Sequence, residues 1–147
     1  MSDELKNIFE TIDLMFQNAD IDFNELQNKN IDKTFFEDYN NTRIVNSFLF
    51  NFSKLQDKIG GKLFKKVLYE LKEIDDLSIS MIDLLHLLEK LGIIENEQTW
   101  DKLREIRNSL AHEYPFDLDE RIENIRLVLD GYVVLKLIYK KLTFNSL

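Results

Sequence analysis

The segment DLDERIENIRLVLDGYVVLKLIYKKL, residues 117–142, decides the fold class. Leu118, Ile122, Ile125, Leu129 and Tyr132 recur at three- and four-residue steps, the spacing that gathers side chains on one face of an α-helix. Asp117 stands where an N-cap carboxylate accepts a bond from a free backbone N–H. This spacing predicts an amphipathic helix to about Leu142. Just upstream, Pro115 forces the residue before it out of the α region, so a separate helix, starting near Glu97, should end at Tyr114.

The same reading extends to the rest of the chain. Ser80 is placed to cap a helix with Asp83 at its third position and Leu84, Leu85, Leu88 and Leu91 behind it, and Gly92 closes it. A helix from Lys62 to about Glu73 precedes that. Gly60-Gly61 interrupts, kinks or ends a long second helix from about Asp32 to Ile59, which carries Phe35, Tyr39, Ile44, Phe48, Phe52 and Leu55. The first helix is expected from Asp3 to Asn18, with Leu5, Ile8, Phe9, Ile12, Met15 and Phe16 on one face and a polar loop or short turn over 20–30. There is no internal repeat and no low-complexity segment. The expectation is one all-α domain over 1–147, an antiparallel up-and-down bundle of four long helices plus one or two short ones.

Composition narrows the class further. The 147 residues are 44% hydrophobic with four glycines and one proline, enough for a core and little punctuation for a β-rich fold. There is no cysteine, hence no disulfide framework and no thiolate metal site. Two distant histidines and acids without EF-hand spacing give no metal site, and no glycine-rich phosphate loop occurs. The amino terminus is acidic, unlike a secretory signal, and no apolar run approaches the roughly 20 residues of a membrane span. A soluble, cytoplasmic protein without a cofactor is expected.

A net charge of −8 argues against nucleic-acid partners only if it is evenly spread. It is not. Residues 54–72 hold Lys54, Lys58, Lys62, Lys65, Lys66 and Lys72 against Asp57 and Glu70. Lys54, Lys58 and Lys62 share a helical face if the helix continues through the glycines, either as a solvated face or as a stripe that tracks RNA phosphates.

The chemistry-bearing stretch is Arg107-Asn108-Ser109-Leu110-Ala111-His112-Glu113-Tyr114-Pro115. Arginine grips phosphate through two parallel hydrogen bonds, and histidine exchanges a proton near neutral pH. On an ideal helix Arg107 and His112 point about 140° apart, while Asn108 and His112 share a face. Either the arginine reaches around, or two copies share a site across a two-fold axis. An arginine and a histidine near a helix C-terminus also suit the helix dipole without any catalysis. Of the remaining candidates, His86 lies among leucines as a surface or satisfied core residue. Arg43, Asn46 and Asp57 could support a cleft, and Phe48, Phe50 and Phe52 read as core before they read as base-stacking groups.

Spelled as Arg, four residues, His, one residue, Tyr, the stretch resembles the signature of the HEPN superfamily, in particular its toxin members paired with minimal nucleotidyltransferases. Trp100 and Leu103 upstream and a polar Asn108 after the arginine belong to the same likeness, which is specific over about residues 100–115. The resemblance implies a homodimer with a composite cleft that cleaves RNA without metal. It implies Arg107, His112 and Asn108 as catalytic residues and Tyr114 as the acceptor of AMP from a nucleotidyltransferase antitoxin. A non-catalytic nucleotide- or substrate-binding partner of a nucleotidyltransferase, or a purely structural bundle, are the alternatives.

Overall fold

Ser2 accepts a hydrogen bond from the Leu5 N–H at 3.1 Å and opens α1, Asp3–Gln27, in a computed structural model that describes residues 1–110 and 117–147. The helix is longer than its sequence suggests. The polar run after Asp20 does not form a loop before Gln27, because Ile12, Phe16, Ala19, Phe23 and Leu26 keep the three-and-four spacing and face the core. The polar side chains of that run take the other faces of the same helix.

The second helix, by contrast, starts later than Asp32. Asp32 folds back to accept the Thr34 N–H at 2.9 Å, a local turn that competes with helix. A single 3-10 turn, Phe35–Glu37, follows, and Asp38 then caps α2, Tyr39–Lys58, by accepting from the Asn40 N–H at 2.9 Å. Tyr39 is therefore the first residue after a cap and is exposed rather than part of the apolar stripe. The stripe runs through Val45, Phe48, Phe52 and Leu55.

Gly60-Gly61 does not end the helix. Residues Ile59–Leu63 form a π-helical segment in which the Phe64 N–H reaches back to the Ile59 carbonyl, and α3, Phe64–Glu70, follows without a break. The reason lies in the apolar spacing. Leu55, Ile59, Leu63 and Val67 are all fully buried and all four residues apart, and each such step advances an ideal α-helix about 40° beyond a full turn. Three steps would carry Val67 well round the helix; one wider turn resets the phase. Gly60 also makes room for a neighbour, since a Cβ there would lie 2.5 Å from Cζ2 of the buried Trp100. Thus α3 begins two residues after Lys62 and stops at Glu70, where Lys72 takes a left-handed φ of 61° and the Glu73 N–H bonds to the Leu68 carbonyl.

Ser80 caps α4, Met81–Lys90, through the Asp83 N–H, and Gly92 closes it at φ 73°. Asn96 caps α5, Glu97–Ser109, through the Thr99 N–H. Leu110 turns back to the Arg107 carbonyl at 3.2 Å, so helical bonding stops at Ser109. The expected end at Tyr114 lies outside the described residues. Asp117 caps α6, Leu118–Asn145, through the Asp119 N–H.

Pairwise contacts set the helix directions. Tyr132 bonds to Asp20 at 2.5 Å and Tyr139 to Asp13 at 2.7 Å, so α6 runs antiparallel to α1. Ser47 meets Asp22 while Lys66 meets Glu4, so the α2–α3 rod is also antiparallel to α1. Trp100 packs on Phe64 and Arg107 pairs with Asp57, which sets α5 antiparallel to that rod. The described chain is all-α. Among the described residues, no helix is long and apolar enough to cross a membrane.

Candidate functional site

Arg107 owes its place to the stripe that seats α5. Trp100 and Leu103 are buried, and Arg107, four residues beyond Leu103, falls on the same face just where the helix leaves the core. Its guanidinium meets the Asp57 carboxylate in a two-bond fork, Nε to Oδ1 at 2.9 Å and Nη2 to Oδ2 at 3.0 Å. The side chains are 28% and 49% exposed, so the pair contributes at most about 1 kcal/mol to folding. Its effect is on geometry. Asp57 raises the Arg107 pKa above the ordinary arginine value, chiefly through this hydrogen bond, and uses two of five N–H donors, leaving the rest for a ligand.

The pair stands at one end of a cleft of about 440 Å³ between α2, α6 and the end of α5. From α2, Asn46, Phe50, Lys54 and Asp57 line it along one helical face; Arg121 and Asn124 line it from α6. Lys54, Arg107 and Arg121 thus face one carboxylate, Asp57, among the described lining residues. Three cations gather on one cleft of an acidic chain, and such a grouping favours the approach of an anion. Lys54 also lies 5.5 Å from the centre of the Phe50 ring, and the Arg121 guanidinium stacks 3.9 Å from that of Phe36. Among the described residues, no group of three or more His, Asp or Glu side chains is placed to hold a metal ion.

The structure separates the residues singled out in the sequence. Arg107 and Lys54 share the cleft with Asp57 and Asn46. Asn108 is exposed and lines an adjoining depression beside Gly60, Gly61 and Arg104, to which Arg107 and Asp57 are common. Lys58 and Lys62 line neither, so only Lys54 of the proposed stripe reaches the cleft. Arg43 lies elsewhere, beside Asp22 and Asp38. His86 pairs with Glu97 across α4 and α5. His112 and Tyr114 lie outside the described residues.

Arg121, Asn124 and Phe36 are absent from the sequence-level site. A signal for Arg121 existed. It sits in the first turn of α6, where the helix dipole disfavours a cation, and its neighbour Ile122 fixes it beside the buried stripe. Phe50 also departs from expectation: Phe48 and Phe52 are fully buried, whereas Phe50 is 62% exposed at the cleft.

Comparison of the chain with family models, with curated proteins and with solved structures finds no match.

Proposed function

We propose that the protein is a metal-independent endoribonuclease of the HEPN type, the toxin of a pair whose antitoxin is a minimal nucleotidyltransferase. The observation that carries this reading is the convergence of Lys54, Arg107 and Arg121, from three helices, on one cleft. The cleft is bordered by Leu110, two residues before His112 in the chain. RNA cleavage of this class needs no external nucleophile. The 2′-oxygen attacks the adjacent phosphorus as the bond to the 5′-oxygen breaks, giving a 2′,3′-cyclic phosphate and a 5′-hydroxyl. His112 takes the 2′ proton or returns one to the leaving oxygen. Arg107, fixed by Asp57, neutralises the charge that gathers on the phosphorane oxygens. Asn108 orients the histidine or bonds the phosphate, and two copies complete each other's cleft.

Purified wild type should cut RNA in the presence of a chelator, and Arg107→Ala and His112→Ala should each lose at least about 100-fold in rate with unchanged circular dichroism. Full cleavage by folded His112→Ala overturns the mechanism. A second reading, a non-catalytic nucleotide- or substrate-binding partner of a nucleotidyltransferase, draws on the same cations, because anion binding does not require His112. Wild type that binds RNA and leaves it intact selects that reading.

A further inference from the structure

Phe50 is the unexplained side chain of the cleft. A phenyl ring left 62% exposed in the middle of α2, two residues from the buried rings of Phe48 and Phe52 and turned to the opposite side of the helix, gains nothing for the core. It stands beside the ammonium of Lys54 and lines the same cleft as two carboxamides, Asn46 of α2 and Asn124 of α6. Each carboxamide carries both donors and an acceptor, the set that reads the edge of a nucleobase. Asn46 and Asp57 are eleven residues apart on α2, about 16 Å along its axis, so the cleft has a phosphate end at Arg107 and an aromatic and amide end away from it. Its volume of about 440 Å³ lies within the usual range for sites that enclose a small organic group.

We infer that this far end is a nucleobase subsite and that the substrate is single-stranded RNA. An unstacked base lies on the Phe50 ring with its edge toward Asn46 or Asn124, while the neighbouring phosphate meets Arg107 and Lys54. A base inside a duplex has both faces covered and cannot reach the ring, whereas a single strand offers its bases to aromatic platforms. The cation–aromatic pairing of Lys54 and Phe50 keeps a positive charge over the phosphate path beside the base. Substrate choice is then set by strandedness first and by the amide contacts second. The inference rests on the ribonuclease reading for its substrate, but the subsite itself binds whether or not the RNA is cut.

The test uses the full chain and three fluorescent probes: an uncleavable 2′-O-methyl hexamer, a ribose-phosphate hexamer without bases, and a 2′-O-methyl duplex. Phe50→Leu should weaken the single-stranded hexamer about 5- to 150-fold, the span of one lost base stack, and Phe50→Tyr should restore it. The abasic probe should bind Phe50→Leu and wild type alike, while Arg107→Ala weakens both. Binding of the hexamer that is indifferent to Phe50→Leu, or a duplex bound as tightly as the single strand, overturns the subsite. Cleavage of unmodified RNA, measured alongside, separates the two claims. Phe50-dependent binding without cleavage keeps the subsite and removes the ribonuclease; Arg107-dependent cleavage with Phe50-independent binding does the reverse.

Discussion

Replacing Gly60 by alanine tests how the π segment and α5 fit together. The added methyl would lie 2.5 Å from Trp100 Cζ2 and 3.3 Å from Cε2. Trp100 has no room to retreat, being fully buried with its ring 4.6 Å from that of Phe64 in an edge-on contact. Overpacking of this kind costs about 1–3 kcal/mol. The helix preference of alanine over glycine returns about 0.5–1 kcal/mol. The net expectation is a loss of about 0–2.5 kcal/mol centred on about 1 kcal/mol, or about 2–4 °C in Tm at that centre for a chain of this length. Gly61→Ala is the internal control, because a Cβ there meets nothing within 4 Å; it should leave stability unchanged or raise it by up to about 1 kcal/mol. Both variants should be unfolded in urea beside wild type, followed by circular dichroism. Trp100→Phe introduced with Gly60→Ala should recover part of the loss, and it breaks no hydrogen bond, since the indole N–H has no partner among the described residues. Equal stability of the Gly60→Ala and Gly61→Ala proteins would refute the packing argument.

Three further outcomes follow from other contacts. Tyr132 and Tyr139 donate to Asp20 and Asp13, and burial raises both phenol pKa values above the ordinary tyrosine value of about 10. The stability they provide is therefore complete below about pH 10 and is lost as pH rises beyond it, because the unfolded chain releases these protons first. Tyr132→Phe with Tyr139→Phe should cost about 1–3 kcal/mol at pH 7 and flatten that alkaline decline in urea melts; an unchanged decline would assign it to other groups. Asp57→Asn should shift stability by less than about 1 kcal/mol yet lower kcat for RNA cleavage at least about tenfold, as Arg107 loses the fork that orients it; an unaltered kcat would show that Arg107 is oriented without Asp57. Co-expression with a partner nucleotidyltransferase should add AMP to Tyr114, visible by intact mass and absent from Tyr114→Phe, which should still cut RNA but escape neutralisation. An unmodified Tyr114 in a neutralised complex would make the inhibition steric.

Helix identity was legible in the sequence wherever a cap and an apolar stripe coincided. Ser80 with Asp83, Gly92, and Asp117 ahead of Ile122 and Ile125 each mark a boundary by local chemistry alone, and each stands where that chemistry puts it. The errors fall where local polarity and tertiary packing disagree. Residues 20–27 look like a loop because their polar side chains outnumber the apolar ones, but Phe23 and Leu26 hold α1 against its neighbours. Gly60-Gly61 looks like a break because glycine is a poor helix former; only the closeness of Trp100, forty residues away, shows why it is needed. In the site, Arg107 was singled out in the sequence, and it lines the cleft. Asp57 was named only as a possible support of the cleft, and its pairing with Arg107 across fifty residues needed the fold; Arg121 and Asn124 belong to a wall that no linear spacing reveals.

The π segment at Ile59–Leu63 is also a record of length. A wide turn of this kind holds one residue more than the α-helical turn it replaces, so the helix on either side keeps its phase whether the extra residue is present or removed. Loss of Gly61, whose position opens onto free space, would return the segment to ordinary helix while Phe52 and Leu55 on one side and Val67 and Leu68 on the other still face the core. In most of a packed helix, one residue inserted or deleted turns everything beyond it by about 100°. Here the rod has a site where its count can change by one, and a comparison of this chain with others must place its gap there to keep the two halves of the core in step.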